Sequence, residues 1–378
     1  MAVWIHRFSR RSLLATGALA LRALADQPHG PKGQLFDSDW KRYSDPATEF
    51  EVYRLTDPSY TSTLPDYTNR IISRNSGSLL FCCDRAGSPQ AFRMDLKTGE
   101  TRQLTERPDL DGASLNLLPD GRSFCYFADR TLYLVNLANL RERELYTVPE
   151  GWDRAPGLSV GADSAHAILA ERRDDRSRLR AVPFAQAAPR TILESAVPLS
   201  NAIERPLRAQ ILYRATSEGQ PPELWLVDSD GRHNRRLKLA SGATGPANWS
   251  TDGRTLLYLN FPDDRRQLNA IRELSPDDDK DKLVAPTSQY VHFGFNRDSS
   301  VFVGASRNVA SPVVLILLRV TRRELTLCEH KASHPDAVAP IFSPDAQRVY
   351  FQSDRHGKPA LYSMHVERLV EKIGEEKE

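Results

Sequence analysis

Residues 342–362 read FSPDAQRVYFQSDRHGKPALY, and this stretch decides the fold. A turn sequence at 342–346 precedes an apolar run, and an Asp-Arg-x-Gly turn at 354–357 precedes a second one. Short β-rich runs between such turns predict antiparallel hairpins, because Asp and Gly supply the side-chain hydrogen bonds and positive φ that tight turns need. Residues 75–96, NSGSLLFCCDRAGSPQAFRMDL, repeat the arrangement. We therefore interpret the acidic residues of these turns as structural.

The same unit occurs seven times along the chain. If the third residue of each turn is taken as a reference, the copies lie at positions 77, 121, 164, 208, 253, 299 and 346. Each copy contains runs suited to four short strands, and repeats of about 40–50 residues with four strands are typical of β-propeller blades. The repeat therefore predicts an all-β protein, a single seven-bladed β-propeller.

The last copy lacks a fourth strand, because Val366 is followed by the charged segment 367–378. A spare strand-like stretch, Glu49–Thr56, precedes the first copy and is similar to the outer strand predicted at residues 99–105. We predict that this N-terminal strand completes the seventh blade and closes the ring, which removes an exposed sheet edge.

A length of 378 residues would by itself suggest two or three domains. The repeat instead predicts one propeller (49–366), preceded by a signal peptide (1–25) and a linker (26–48) and followed by a charged C-terminal tail (367–378). Arg10 and Arg11 precede a short apolar run and the sequence Ala23-Leu24-Ala25, the order expected of an export signal. The paired arginines favour a twin-arginine signal, with a general secretory signal or an untargeted basic N-terminus as alternatives. We expect an exported protein, periplasmic or extracellular, with no membrane span.

Charge and cysteine content exclude several function classes. The 51 Lys and Arg residues nearly balance 49 Asp and Glu residues, and a net charge of +2 argues against a nucleic-acid partner. The four cysteines form no C-x-x-C pair, so neither a zinc ribbon nor a disulfide scaffold is predicted, and we interpret them as buried small residues.

A propeller brings its innermost strands together on one axis, so the residues on these strands are the candidates for a site. The segments that precede the turns carry amides, arginines and histidines, which suit an anionic or hydroxyl-rich ligand. Among them we predict four substrate-binding residues: Asn69, Arg70, Asn201 and Trp249.

Several motifs resemble one known family. They include Tyr53-Arg54-Leu55-Thr56, the stretch 94–99 (MDLKTG), the stretch 145–152 (LYTVPEGW) and Ile203 with Arg205-Pro206. In this order they are similar to the oligogalacturonate lyases, seven-bladed propellers that cleave pectin fragments.

The resemblance implies a metal-assisted β-elimination. In the family, Mn²⁺ neutralises a uronate carboxylate, a histidine base removes the neighbouring C5 proton, and an arginine stabilises the developing charge. By this resemblance His292 and His334 are the predicted metal ligands, and Arg205 is the predicted catalytic arginine. His292 as a buried structural histidine and Arg205 as a partner of Glu204 remain the alternatives.

The sequence departs from the family at three positions. Ala337 and Ala339 stand where the family has two histidine ligands, and Pro246 stands where it has the histidine base. Three hypotheses therefore stay open: a lyase acting on oligogalacturonides, a non-catalytic propeller that binds acidic oligosaccharides, and a propeller that binds a protein partner.

Overall fold

The structure, a computed structural model, describes residues 31–264, 266–367 and 369. The predicted signal peptide and nearly all of the charged tail lie outside these residues. Within the described part of the chain, no helix is long and apolar enough to cross a membrane.

The described strands fall into one antiparallel sheet for each sequence repeat. Three strands come first: β1 (Leu35–Phe36), β2 (Lys41–Ser44) and β3 (Glu51–Arg54). Blade 1 continues with β4 (Ser62–Thr63), β5 (Ser78–Cys83), β6 (Gln90–Asp95) and β7 (Thr101–Gln103). Blade 2 has a 3₁₀-helix (Gly112–Ser114), β8 (Asn116–Leu117), β9 (Ser123–Ala128), β10 (Thr131–Asn136) and β11 (Glu142–Thr147).

Blades 3 to 5 have four strands each. Blade 3 contains β12 (Asp153–Val160), β13 (His166–Arg173), β14 (Arg176–Pro183) and β15 (Arg190–Ser195). Blade 4 contains β16 (Leu199–Glu204), β17 (Gln210–Ala215), β18 (Glu223–Asp228) and β19 (Arg235–Arg236). Blade 5 contains β20 (Ala243–Trp249), β21 (Leu256–Phe261), β22 (Ala270–Ser275) and β23 (Lys280–Pro286).

Blades 6 and 7 complete the ring. Blade 6 contains β24 (Tyr290–Phe295), β25 (Val301–Ser306), β26 (Val313–Leu318) and β27 (Arg323–Glu329). Blade 7 contains a second 3₁₀-helix (Pro335–Ala337), β28 (Ile341–Phe342), β29 (Arg348–Ser353) and β30 (Ala360–His365). The all-β, seven-bladed prediction is confirmed.

The predicted ring closure is also confirmed. Strand β3 lies within the predicted stretch and pairs with β30, placing Tyr53 opposite Ser363. Strand β2 then pairs with β3, and β1 pairs with β7. Residues assigned from the sequence to a linker thus form two outer strands, each of which extends its blade to five strands and covers an edge.

The core lies between the blades. The buried apolar side chains of the described residues form seven clusters, one at each junction of neighbouring blades. In the cluster between blades 2 and 3, for example, Phe127 packs with Leu158 and Leu169. All four cysteines are buried and free, as predicted.

The innermost strands run from what we call the upper face, where they begin, to the lower face, where they turn into the second strand of each blade. They are interrupted part of the way along. In blades 3 to 6 the pairing of the inner strand shifts register, and in blades 2 and 7 a 3₁₀-helix precedes a short inner strand. In blade 1 residues 64–70 separate β4 from a bridge between Ile72 and Leu79. These interruptions let backbone and side chains reach the axis.

Candidate functional site

Residues 64–70, which we call the axial plug, lie across the centre of the ring. The hydroxyl of Tyr67 donates to the carbonyl of Ala247 (3.3 Å) and accepts from its N–H (3.1 Å), which links blade 1 to blade 5. The Leu64 N–H donates to Oε1 of Gln352 in blade 7 at 2.7 Å. Because several blades hold this segment, it is a fixed part of the axis.

The side-chain amide of Asn69 is fully engaged in hydrogen bonds that hold the plug in place. Its Nδ2 donates to the carbonyls of Ala113 (3.0 Å) and Leu115 (3.1 Å), and its Oδ1 accepts from Nδ2 of Asn116 (3.1 Å). The structure therefore places Asn69 on the axis, as expected, but its amide joins blades 1 and 2.

His292 lies on β24, against the plug. Its ring meets the Tyr67 ring edge to face, with 4.7 Å between centroids. Burial lowers the pKa of His292 to about 4, so the imidazole is neutral at pH 7. Its Nδ1 is buried and has no hydrogen-bond partner among the described residues. These properties suit either a metal ligand or a packed histidine.

The other predicted donors do not complete a metal site. His334 is exposed at the start of the second 3₁₀-helix, whereas His292 is buried. Ala337 and Ala339 offer no side-chain ligand, and Nε2 of Gln352 is bound to the carbonyl of Ala337. No cluster of three or more His, Cys, Asp or Glu side chains suited to a metal occurs in the described part of the chain. The residues present therefore do not fit a resident manganese ion.

Arg205 is buried, and its contacts indicate a structural role. Its guanidinium makes a bidentate pair with Asp277 (2.7 and 2.9 Å) and donates to Gln210 (2.7 Å) and to the carbonyl of Gly253 (2.6 Å). It also lies over the ring of Trp249. The pairing with Glu204 suggested by the sequence is not formed, because Glu204 instead contacts His166.

Asn201 occupies the register shift of β16 with a positive φ of 48°. Its backbone lies against Gly157, where any Cβ would meet the Cα of Asn201 at 2.6 Å. Gly157 itself has a φ of 96°. This close contact between the inner strands of blades 3 and 4 accounts for the glycine, and Asn201 does not line the cavity described next.

A cavity of about 840 Å³ lies on the axis and opens on the lower face. The plug residues Asn69 and Arg70 line it, together with Trp249, so three of the four predicted substrate-binding residues border one space. The two predicted metal ligands do not belong to its lining, and Arg205 does not belong to it either. We call this space the lower cavity.

The lower cavity has an unbalanced charge. Three arginines line it, Arg70, Arg74 and Arg297, against a single carboxylate, Glu204. None of the three forms an ion pair with any residue that the structure describes, and all three side chains are solvent-exposed. The enclosing walls, together with the neighbouring Arg74, lower the pKa of Arg70. An anionic ligand would relieve this repulsion.

Sequence reasoning missed Arg74 and Arg297. Both lie at the lower end of an inner strand, where the chain enters the turn, and the turn pattern by itself predicts only a structural role for this region. Phe342, which precedes the corresponding turn of blade 7, was missed for the same reason. The signal available in the sequence was an arginine next to the turn in blades 1 and 6.

Comparison with known proteins agrees with this architecture. The family model described as oligogalacturonate lyase matches residues 31–179. Two curated relatives match over 88% of this chain and 97% of their own length: the oligogalacturonide lyase of Pectobacterium atrosepticum (24% identical) and the oligogalacturonate lyase of Dickeya dadantii (23%).

Two solved structures share the fold. An oligogalacturonate lyase in complex with manganese gives a TM-score of 0.83 at 24% identity, over 88% of this chain and 98% of that chain. The oligogalacturonate lyase of Vibrio parahaemolyticus gives 0.83 at 22% identity, over 89% and 99%. These matches show that the chain is similar to oligogalacturonate lyases over most of its length and shares their fold.

Proposed function

We propose that this protein binds oligogalacturonides, the acidic oligosaccharides derived from pectin, in the lower cavity. The observation that carries the proposal is the set of three arginines that line one cavity on the axis without a carboxylate partner among the described residues. Guanidinium groups bind carboxylates in a forked geometry, so they suit the uronate carboxylate that each sugar of such a chain carries.

The rest of the lining suits a sugar. Asn248 borders the cavity, and Nδ2 of its amide has no hydrogen-bond partner among the described residues, so it can donate to a hydroxyl group. Phe295 and Phe342 provide apolar surface against which the C–H face of a pyranose ring can pack. The relatives named for oligogalacturonides support the same class of ligand.

Turnover by the family's lyase reaction is a second candidate, favoured by one observation. By the resemblance His292 corresponds to a metal ligand of the family, and its imidazole is neutral with an Nδ1 that has no hydrogen-bond partner among the described residues. Because the remaining donors do not form a metal site, no catalytic step through manganese is assigned to these residues. We therefore propose that the protein binds oligogalacturonides, and the experiment below tests whether it also cleaves them.

Isothermal titration calorimetry with trigalacturonate tests the proposal, with galactotriose as the uncharged control of the same ring geometry. We expect binding of trigalacturonate only, unchanged by EDTA, and a weakening of about tenfold or more in Arg70→Gln, since a charge-assisted hydrogen bond contributes about 1.5–3 kcal/mol.

The ultraviolet absorbance of unsaturated uronides is followed in parallel, with and without manganese. Absence of heat from trigalacturonate under all conditions would overturn the proposal. Binding or product formation that requires manganese, and that is lost in His292→Phe but not in Arg70→Gln, would establish the lyase candidate instead.

A further inference from the structure

One wall of the lower cavity is built by three consecutive blades. Blade 6 contributes Arg297, just after β24, and blade 7 contributes Phe342 at the end of β28. Blade 1 contributes Arg70 and Arg74, which flank the bridge at Ile72. Because the blades follow one another around the ring, the apolar surface of blade 7 lies between the two basic groups.

The backbones that carry these arginines are fixed. The Arg70 N–H donates to Oδ1 of Asn116 (3.1 Å), and its carbonyl accepts from the N–H of Leu117 (2.7 Å). The carbonyl of Arg297 accepts a hydrogen bond from the hydroxyl of Thr251 in blade 5. The arginines therefore have set positions, whereas their guanidinium groups have no ionic partner among the described residues.

The arginines of blade 1 differ from that of blade 6. Arg70 and Arg74 lie on either side of the Ile72–Leu79 bridge of blade 1 and both line the lower cavity, so together they form a doubly charged site. Arg297 stands alone on the other side of Phe342. Two carboxylates held by one chain can occupy both positions, and a single carboxylate can occupy only one.

We infer that this wall binds two uronate carboxylates of one chain, the first at Arg70 and Arg74 and the second at Arg297, with the intervening sugar face against Phe342. The inference rests on the proposed function and specifies it, because it makes an oligomer of at least two uronates the smallest ligand that engages the whole wall. Joining two weak contacts in one molecule makes the second contact intramolecular, so the dimer and trimer gain affinity far beyond that of the monomer.

The test compares galacturonate, digalacturonate and trigalacturonate by calorimetry with the full chain. For the unsubstituted protein we expect one of the two oligomers to bind about 30-fold or more tightly than the monomer. Arg297→Gln should weaken binding of that oligomer about tenfold while changing the monomer less than about twofold, because the monomer prefers the doubly charged site. Arg74→Gln should weaken the monomer and the oligomer alike.

The control is Arg122→Gln, which removes an exposed arginine from the corresponding turn of blade 2 outside the cavity lining. It should leave all affinities unchanged, and Arg297→Lys should restore part of the loss because it keeps the charge. Thermal melting verifies that each variant is folded.

Two results would overturn the inference while leaving the proposed function intact. One is a monomer that binds as tightly as the trimer, and the other is an Arg297→Gln variant that binds all three ligands like the unsubstituted protein. Absence of binding by every uronide would instead overturn the proposed function itself.

Discussion

At the scale of single residues, Arg205 shows how the same arginine can suit two roles. Its position in an Ile-x-Arg-Pro motif resembles a substrate-site residue, yet only 1% of it is exposed and four hydrogen bonds engage its guanidinium. A buried guanidinium must be paired, because its desolvation is otherwise uncompensated. In this structure the pairing joins blades 4 and 5, with Asp277 as the main partner.

We expect Arg205→Met to lower the free energy of unfolding by about 1–3 kcal/mol, since it removes the hydrogen bonds of a buried guanidinium and leaves the carbonyl of Gly253 without its donor. Arg208→Met is the matched control, because Arg208 is exposed and forms no ion pair with a described residue. Denaturant titration measures both. An Arg205→Met variant with unchanged stability and abolished ligand binding would support the functional role predicted from the sequence.

His166 gives the protein a specific pH dependence. Its Nε2 lies 3.4 Å from Oε1 of Glu204, and this contact raises the pKa of His166 above its usual value. The folded state therefore holds the proton more tightly than the unfolded chain. The resulting stabilisation is complete below the unfolded pKa of about 6.5 and is lost as pH rises through the higher folded value.

We expect the unfolding free energy of the unsubstituted protein to decline from pH 6 upward, relative to that of His166→Asn. The two curves should become parallel once pH exceeds the folded pKa. Denaturant titrations at half-unit pH intervals measure this difference, with His233→Asn as the control because His233 is exposed and its contact with Asp228 is a surface ion pair that contributes little. A stability difference that stays constant from pH 5 to pH 8, or one in which the unsubstituted protein loses stability relative to His166→Asn as pH falls, would contradict the assignment.

At the scale of structural elements, closure of the ring depends on a strand of four residues. Strand β3 completes blade 7, and the fully buried side chain of Val52 belongs to the cluster between blades 6 and 7. The strand is far from β30 in the sequence, so its pairing brings the two ends of the repeat array together. This contact replaces what would otherwise be two exposed edges.

Val52→Asp should therefore destabilise the whole ring by more than about 3 kcal/mol, because it places an unpaired charge in the core. Glu51→Gln on the same strand is the control, since Glu51 is exposed and its contact with Arg42 is a surface ion pair that contributes little. Circular dichroism melting compares the two. Near-native melting of Val52→Asp would show that β3 does not hold the ring closed.

The axial plug is the second element with a structural consequence. Its hydrogen bonds to Ala247 and Gln352 hold one segment of blade 1 against blades on other sides of the ring. The Tyr67 ring covers His292, and Asn69 and Arg70 line the lower cavity from the same segment. The plug thus separates the predicted metal position from the basic cavity.

At the scale of the whole molecule, a net charge of +2 conceals a local imbalance. Most ion pairs are distributed over the blades, whereas the arginines of the lower cavity have no carboxylate partner among the described residues. The axis of a propeller concentrates such a group, because all blades contribute residues to one concave space. A nearly neutral protein can therefore select an anionic ligand.

The sequence by itself determined the fold, because local turn chemistry and strand pattern recur at a nearly constant spacing, and each copy specifies a blade without reference to the others. It also indicated the closing strand, since the last copy lacks a partner that Glu49–Thr56 can supply. The resemblance of colinear motifs to oligogalacturonate lyases is likewise readable from the chain, and the export signal stays a prediction.

Only the tertiary structure decided which axial residues meet. Asn69, Arg70 and Trp249 share a cavity with Arg74 and Arg297, while Arg205 pairs with Asp277, 72 residues away in the sequence. A repeat pattern specifies that strands converge on an axis, but not at which depth each side chain lies or which charges find partners. Those depend on register shifts, on the path of the plug and on packing between blades, all of which are set by contacts between residues distant in sequence.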